Sequence, residues 1–129
     1  GNALAHKHVL VAEDNALNAE VITAILNIHD ATCEVAANGE EAVAKFGMSA
    51  PGTFDMIFMD VQMPVMNGHD AARAIRAMDR PDAGTIPIIA MTANAFAEDE
   101  RQALACGMNA HVAKPIDVHA LERVVAELS

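Results

Sequence analysis

Short apolar runs alternate along the chain with longer segments in which apolar residues recur every three or four positions. The short runs are rich in Val, Ile, Met or Phe, and they span residues 8–12, 32–36, 55–59, 86–91 and 110–113. Their length and composition predict buried β-strands, whereas the spacing of the longer segments predicts helices. The predicted order is therefore a strand followed by a helix, five times over.

Three of the helical segments carry clear apolar stripes. These stripes are Leu17, Val21, Ala24 or Ile25, and Ile28; Ala71, Ile75 and Met78; and Leu121, Val124, Val125 and Leu128. Residues 39–45 and 95–105 are less periodic, but good helix formers dominate both. Near-continuous apolar strands separated by helices imply a parallel sheet covered on both faces, and right-handed crossovers then produce a doubly wound α/β fold.

The composition suits one domain with an aliphatic core. The 129 residues are 53% hydrophobic but only 3% aromatic. We expect residues 1–7 to be a flexible N-terminal segment, partly a cloning remnant, and residues 8–129 to form the domain.

The charge and the apolar runs exclude several classes of partner. Eighteen acidic against eight basic residues leave a net charge of −10, which argues against direct nucleic-acid binding. No run reaches the roughly 18 apolar residues of a membrane span, and the first residues lack the pattern of a signal peptide. We therefore expect a cytoplasmic domain without membrane contact of its own, although a longer parent protein can carry an anchor elsewhere.

Polar residues whose side chains can bind ligands or react follow four of the five predicted strands. Glu13 and Asp14 follow the first strand, Asp60 the third, Thr92 the fourth and Lys114 the fifth. Since parallel strands share a direction, these side chains are expected at one edge of the sheet, where such folds bind ligands. Each residue alone has an ordinary alternative, such as a helix N-cap or a turn for Asp, or a plain strand residue for Thr. Their placement together at one edge of the sheet is what indicates a functional site.

Three converging carboxylates repel one another, and a divalent cation relieves that cost. Oxygen ligands suit Mg²⁺ (or Mn²⁺), which also takes phosphate oxygens. Lys114 offers a positive charge and Thr92 a hydroxyl to a phosphoryl group. A carboxylate can itself be the nucleophile, which produces an acyl phosphate. The edge thus predicts a site for a metal ion and a phosphoryl group.

With these residues in place, the chain resembles the receiver domain of two-component response regulators from about residue 8 to residue 128. The matching stretches are VAEDNALNAEV (residues 11–21), MDVQMPVMNG (59–68), MTANAF (91–96) and KPI (114–116). In these motifs the sequence is most similar to receiver domains of hybrid sensor histidine kinases. The resemblance implies a flavodoxin-like strand order 2-1-3-4-5 with helices on both faces of the sheet.

The resemblance also implies individual roles. Asp60 matches the phosphorylated aspartate, Thr92 the switch hydroxyl and Lys114 the basic partner. For the metal, Asp14 matches a direct Mg²⁺ ligand, Glu13 a ligand that acts through water, and Gln62 the residue whose backbone carbonyl completes the site. Pro64 and Gly68 match residues that shape the loop after the acceptor. The Lys114–Pro115 peptide bond matches one that is usually cis. With these roles, the side chains of Gln62 and Asn94 are expected to border the path of attacking water and so to influence the lifetime of the phosphoryl group.

His111 departs from the family, which usually has Tyr or Phe three residues before the lysine. Either His111 is a partly exposed strand residue with a weakened switch role, or its imidazole is the rotating group and makes signalling sensitive to pH.

The function implied by the resemblance is that of a phosphorelay receiver, a signalling domain and not a separate enzyme. It would take a phosphoryl group from a phosphohistidine onto Asp60, change conformation, and reset by slow autodephosphorylation. The implied donor is a histidine phosphotransfer domain or the dimerisation helices of a histidine kinase. A second apolar row on the first helix, Ala19, Ile22 and Leu26, is a candidate docking surface for it, or else packs inward.

Three alternatives compete with this interpretation. An aspartyl phosphatase of similar fold needs an acid two residues after the nucleophile, where Gln62 stands. A pseudo-receiver typically lacks the acceptor or the metal-binding acids, and none is missing here. A flavin-binding domain needs hydroxyl-rich phosphate loops and aromatic side chains that stack on the flavin, whereas only 3% of the residues here are aromatic.

Overall fold

The computed structural model describes residues 4–92, 97–113 and 116–128. Within these residues strands and helices alternate as β1 (His8–Ala12), α1 (Ala16–Ile28), β2 (Thr32–Ala36), α2 (Gly39–Met48), β3 (Met56–Asp60), α3 (Gly68–Arg76), β4 (Ile88–Thr92), α4 (Ala97–Ala105), β5 (Ala110–Ala113) and α5 (Val118–Leu128). The strands pair in parallel, in the order β2-β1-β3-β4-β5. The expected fold class and strand order are confirmed.

The sheet separates two hydrophobic clusters. In β1, Leu10 and Ala12 belong to the cluster that includes residues of α2 and α3, whereas Val9 and Val11 belong to the cluster with residues of α1 and α5. Alternate residues of a strand face opposite sides, so a strand with apolar residues on both sides must be covered on both faces. This explains why the strands read as continuous apolar runs. Among the described helices, none is both long and apolar enough to span a bilayer.

The third and fourth strands begin and end later than the sequence pattern predicted. Pro87 lacks a backbone N–H and precedes β4, where its carbonyl accepts a hydrogen bond from the N–H of Ile57. At the other end, Asp60 is in register with Met91 of β4, and Thr92 is in register with Ala113 of β5. Asp60 and Thr92 are therefore the last residues of their strands and are held by the sheet itself.

The first three helices begin at asparagine caps. The side-chain oxygens of Asn15, Asn38 and Asn67 each accept a hydrogen bond from the backbone N–H three residues later, at 3.1, 2.8 and 2.9 Å. Such caps satisfy N–H groups that a helix leaves without partners. All three caps lie at the carboxyl edge of the sheet, so they fix where each helix leaves that edge.

Helix α1 corrects the prediction about its two apolar rows. Ala19, Ile22 and Leu26, the candidate docking surface, are only 7%, 2% and 0% exposed and face the core. The row predicted for the core lies outside instead, with Leu17, Val21 and Ile28 exposed to 67%, 49% and 76%. Both rows recur at helical spacing, so periodicity could not decide between them. Packing against the sheet and α5 sets the rotation of the helix about its axis.

Leu4, which precedes the expected domain boundary at His8, packs in the core. Leu4 is fully buried in the cluster beside α1 and α5. The backbone N–H of His6 donates to the carbonyl of Asp30 at 2.8 Å, and that of Lys7 donates to the carbonyl of Leu4 at 3.1 Å. From Leu4 onward, the segment expected to be flexible is thus part of the domain.

A largely buried arginine joins three segments at the opposite edge of the sheet. The guanidinium of Arg80 lies 4.2 Å from the ring centroid of Phe46 and donates to the carbonyl of that residue, near the end of α2. It also makes a two-point ion pair with Asp82, at 2.6 and 3.1 Å, and Asp82 accepts the N–H of Gly52. The hydrogen bond from Arg80 lowers the pKa of the Asp82 carboxyl, because it stabilises the charged form.

We predict that Asp82→Asn lowers the free energy of unfolding at pH 7 by about 2 kcal/mol, since it removes a charged partner of a buried arginine. Because the folded-state pKa is lowered, this contribution is complete above the ordinary carboxyl pKa of about 4 and disappears as the pH falls through the folded-state value. Urea unfolding of both chains at pH 7 and pH 3 measures the difference.

Asp70→Asn is the matched control, because the Asp70–Arg73 pair is about 60% exposed on both sides. It should cost about 0.5 kcal/mol or less. Equal losses for the two variants at pH 7 would contradict the assignment of stability to the Arg80–Asp82 pair.

Candidate functional site

Three carboxylates meet at the carboxyl edge of the sheet, as the sequence predicted. Glu13 and Asp14 follow β1 and Asp60 ends β3, and one carboxylate oxygen from each lies within 4.8 Å of the others. Glu13 and Asp60 are buried, at 2% and 4% exposure, while Asp14 is exposed. The cluster therefore has a buried floor and one open side.

Backbone hydrogen bonds hold the two buried acids. The N–H of Glu13 donates to the carbonyl of Ala36 at 3.0 Å, which ties the end of β1 to β2. The Oε1 atom of Glu13 accepts the N–H of Asn15 at 3.1 Å, and the Oδ1 atom of Asp60 accepts the N–H of Gln62 at 3.3 Å. Each carboxylate is thus oriented by the chain that follows it.

The donor set fits a hard divalent cation. Up to three negative charges within 4.8 Å disfavour one another strongly where two of the groups are buried. Carboxylate oxygens with an open side suit an ion that keeps water and accepts phosphate oxygens, as Mg²⁺ does. Glu13, Asp14 and Asp60 are the residues able to hold it. Gln62, whose carbonyl the resemblance assigns to the metal site, is exposed and follows Asp60 by two residues.

Thr92 and His111 lie on one face of the sheet, on neighbouring strands. Thr92 is 8% exposed and is in register with Ala113, while His111 is partly buried and is in register with Ala90. Residues two apart on a strand share a face. His111 also lines a groove of about 270 Å³ between α4, β5 and α5, together with Leu104 and Glu127. Sequence reasoning placed Thr92 beside the acids but did not foresee the groove.

Three predictions fall outside the described residues. They concern Lys114 as the basic partner, Asn94 as a modulator of phosphoryl lifetime, and the cis geometry of the Lys114–Pro115 peptide bond.

One residue that sequence reasoning passed over is Gly39, the first residue of α2. Its N–H donates to the carbonyl of Met66 at 3.0 Å, in the loop between Asp60 and α3. A glycine at the first position of a helix, where most other residues are better helix formers, was the available signal.

Comparison with known proteins agrees with this site. The family model of the response regulator receiver domain matches residues 9–126. The chain is 35% identical over 127 residues to hybrid signal transduction histidine kinase I of Dictyostelium discoideum, covering 97% of this chain but 7% of that protein. It is 31% identical over 144 residues to histidine kinase 2 of Arabidopsis thaliana, covering 98% of this chain and 12% of that protein. The chain therefore spans only a small part of these curated relatives.

Two solved structures share the fold at similar identity. The receiver domain of a sensor histidine kinase from Pseudomonas aeruginosa, with a magnesium ion in its active site cleft, is 35% identical with a TM-score of 0.84, covering 96% of this chain and 98% of that one. The receiver domain of the Saccharomyces cerevisiae response regulator Ssk1, co-crystallised with the histidine phosphotransfer protein Ypd1, is 32% identical with a TM-score of 0.83, covering 96% and 89%. On its sequence, its strand order and its carboxylate cluster, this chain belongs to the response regulator receiver domain family.

Proposed function

We propose that this domain accepts a phosphoryl group from a phosphohistidine onto Asp60 and relays the signal by a change of conformation. The observation that carries the proposal is the cluster of Glu13, Asp14 and Asp60, which joins a buried nucleophile to ligands for a cation. The relative with magnesium in its cleft supports Mg²⁺ as that cation. Asp14, Asp60 and the Gln62 carbonyl would hold it, with Glu13 assisting through water.

Asp60 performs the chemical step. A carboxylate oxygen of Asp60 attacks phosphorus in line, so that a P–O bond forms while the P–N bond to the donor imidazole breaks and the imidazole leaves with that electron pair. Bound Mg²⁺ supplies positive charge for the transferring oxygens. The Thr92 hydroxyl then donates to a phosphoryl oxygen, and Lys114 provides a second charge. Hydrolysis of the acyl phosphate resets the domain slowly, at a rate that the side chains of Gln62 and Asn94 influence.

Incubation with acetyl phosphate and Mg²⁺ should add one phosphoryl group, which intact-protein mass spectrometry detects. Asp60→Asn should add none, because an amide is not a nucleophile, and omission of the metal should have the same effect. Asp70→Asn, an exposed acid on α3, is the control and should be phosphorylated like the parent. Phosphorylation of Asp60→Asn at the parental rate would refute Asp60 as the acceptor.

The partner that fits is a four-helix histidine phosphotransfer domain or the dimerisation helices of a kinase, and the Ssk1–Ypd1 complex supports the first kind. We place the docking surface on the exposed row of α1, Leu17, Val21 and Ile28. Leu17 lies three residues after Asp14, so a helix seated on this row reaches the acceptor. We place this relay in the cytoplasm.

Leu17→Glu should lower kcat/KM for transfer from a phosphorylated phosphotransfer protein by about tenfold, because it places a charge in an apolar contact. The rate with acetyl phosphate, which needs no docking, should stay unchanged. Met48→Glu is the matched control, since Met48 is 89% exposed at the end of α2, on the other side of the sheet from α1. A rate for Leu17→Glu equal to that of Met48→Glu would rule out docking on this row.

The response to phosphorylation involves Thr92 and His111, which share a sheet face. We expect phosphorylation to increase partner affinity in the parent by different factors at pH 6 and pH 8, because an imidazole changes charge in this range. Glu127 is an acidic side chain that lines the same groove. His111→Ala should remove the pH dependence, as measured by calorimetric titration. Identical factors at both pH values in the parent would leave His111 an ordinary strand residue.

A further inference from the structure

The loop that follows the acceptor, residues 61–67, is anchored at both ends by backbone hydrogen bonds. The N–H of Val61 donates to the carbonyl of Met91 at 3.1 Å, and the N–H of Gly68 donates to the carbonyl of Val61 at 2.9 Å. A Cβ on Gly68 would lie 2.2 Å from the carbonyl oxygen of Asp60, a separation that real Cβ atoms do not show. The ends of this acceptor loop are therefore fixed to β3, β4 and the start of α3.

The middle of the acceptor loop rests on the first residue of α2. The N–H of Gly39 donates to the carbonyl of Met66 at 3.0 Å. A Cβ on Gly39 would lie 2.3 Å from that oxygen and 3.0 Å from the carbonyl oxygen of Asn67. Both oxygens belong to the backbone, so neither can rotate away as a side chain would. Any residue larger than glycine must displace the loop or the helix.

The acceptor loop also holds a residue in an unfavourable conformation. Val65 has a φ of 69°, in the left-handed region that β-branched residues avoid. Its side chain is 75% exposed, so burial of the side chain does not compensate for this conformation. Strained residues persist only where their surroundings hold them. The hydrogen bond from Gly39 to the next residue, Met66, is such a restraint.

We infer that Gly39 is a positioning residue for the phosphoacceptor site, acting through the acceptor loop. The loop carries the backbone of Gln62, whose N–H binds Oδ1 of Asp60 at 3.3 Å and whose carbonyl is a proposed metal ligand. Because the loop is short and both of its ends are fixed, a shift of Met66 also moves Gln62 relative to Asp60. The inference rests on the proposed function, because the site it positions is the proposed metal and phosphoryl site.

The test compares Gly39→Ala with Gly47→Ala, the same substitution in the same helix. A Cβ on Gly47 would meet only the flexible end of Met78 at 3.4 Å. Gly39→Ala should weaken Mg²⁺ binding, measured by calorimetry, by about tenfold, as changes beyond the direct ligands commonly do. It should slow phosphorylation by acetyl phosphate while remaining folded at the assay temperature, and shift the backbone amide resonances of residues 61–68. Gly47→Ala should match the parent in all three.

Adding Val65→Gly to Gly39→Ala should restore part of the Mg²⁺ affinity, because glycine lets the loop adopt other conformations around the new methyl group. A folded Gly39→Ala with parental affinity, rate and amide resonances would overturn the inference. So would unfolding of both the single and the double variant, since Gly39 would then serve only the fold. If the parent neither binds Mg²⁺ nor takes the phosphoryl group, the proposed function fails, and the amide resonances alone decide whether Gly39 positions the loop.

Discussion

Parallel strands bring their carboxyl ends to one edge, and in this chain that places three carboxylates within 4.8 Å of one another. Mutual repulsion between such groups is costly, and more so where Glu13 and Asp60 are buried. A divalent cation would relieve that cost, since carboxylate oxygens are the ligands that Mg²⁺ prefers. Backbone hydrogen bonds to Glu13 and Asp60 keep the two buried acids in place.

The supports of the site are mainly backbone groups, which leave little freedom. Asp60 ends a strand that is paired on both sides, and Glu13 is tied to β2. Gly68 and Gly39 let α3 and α2 approach the acceptor loop more closely than any side chain would allow. A site built on rigid elements keeps its geometry better than one on free loops.

The proposed docking surface and the proposed response surface lie on different sides of the sheet. The exposed row of α1 begins beside the acids and suits a helical donor, whereas Thr92 and His111 face the layer of α4 and the groove beside β5. In the proposed relay, a phosphoryl group on Asp60, at the carboxyl edge of the sheet, would couple these two surfaces.

The order of strands and helices, the strand-end acids and their meeting at one edge were all predictable from the sequence. Apolar period and length are local properties, and a shared strand direction carries Glu13, Asp14, Asp60 and Thr92 to the same place. The burial of Ala19, Ile22 and Leu26 was not predictable, because two rows of equal period compete on α1 and only packing chooses between them. The same holds for Leu4 in the core and for Gly39 against Met66. These contacts join segments far apart in the chain, so only the tertiary structure decides them.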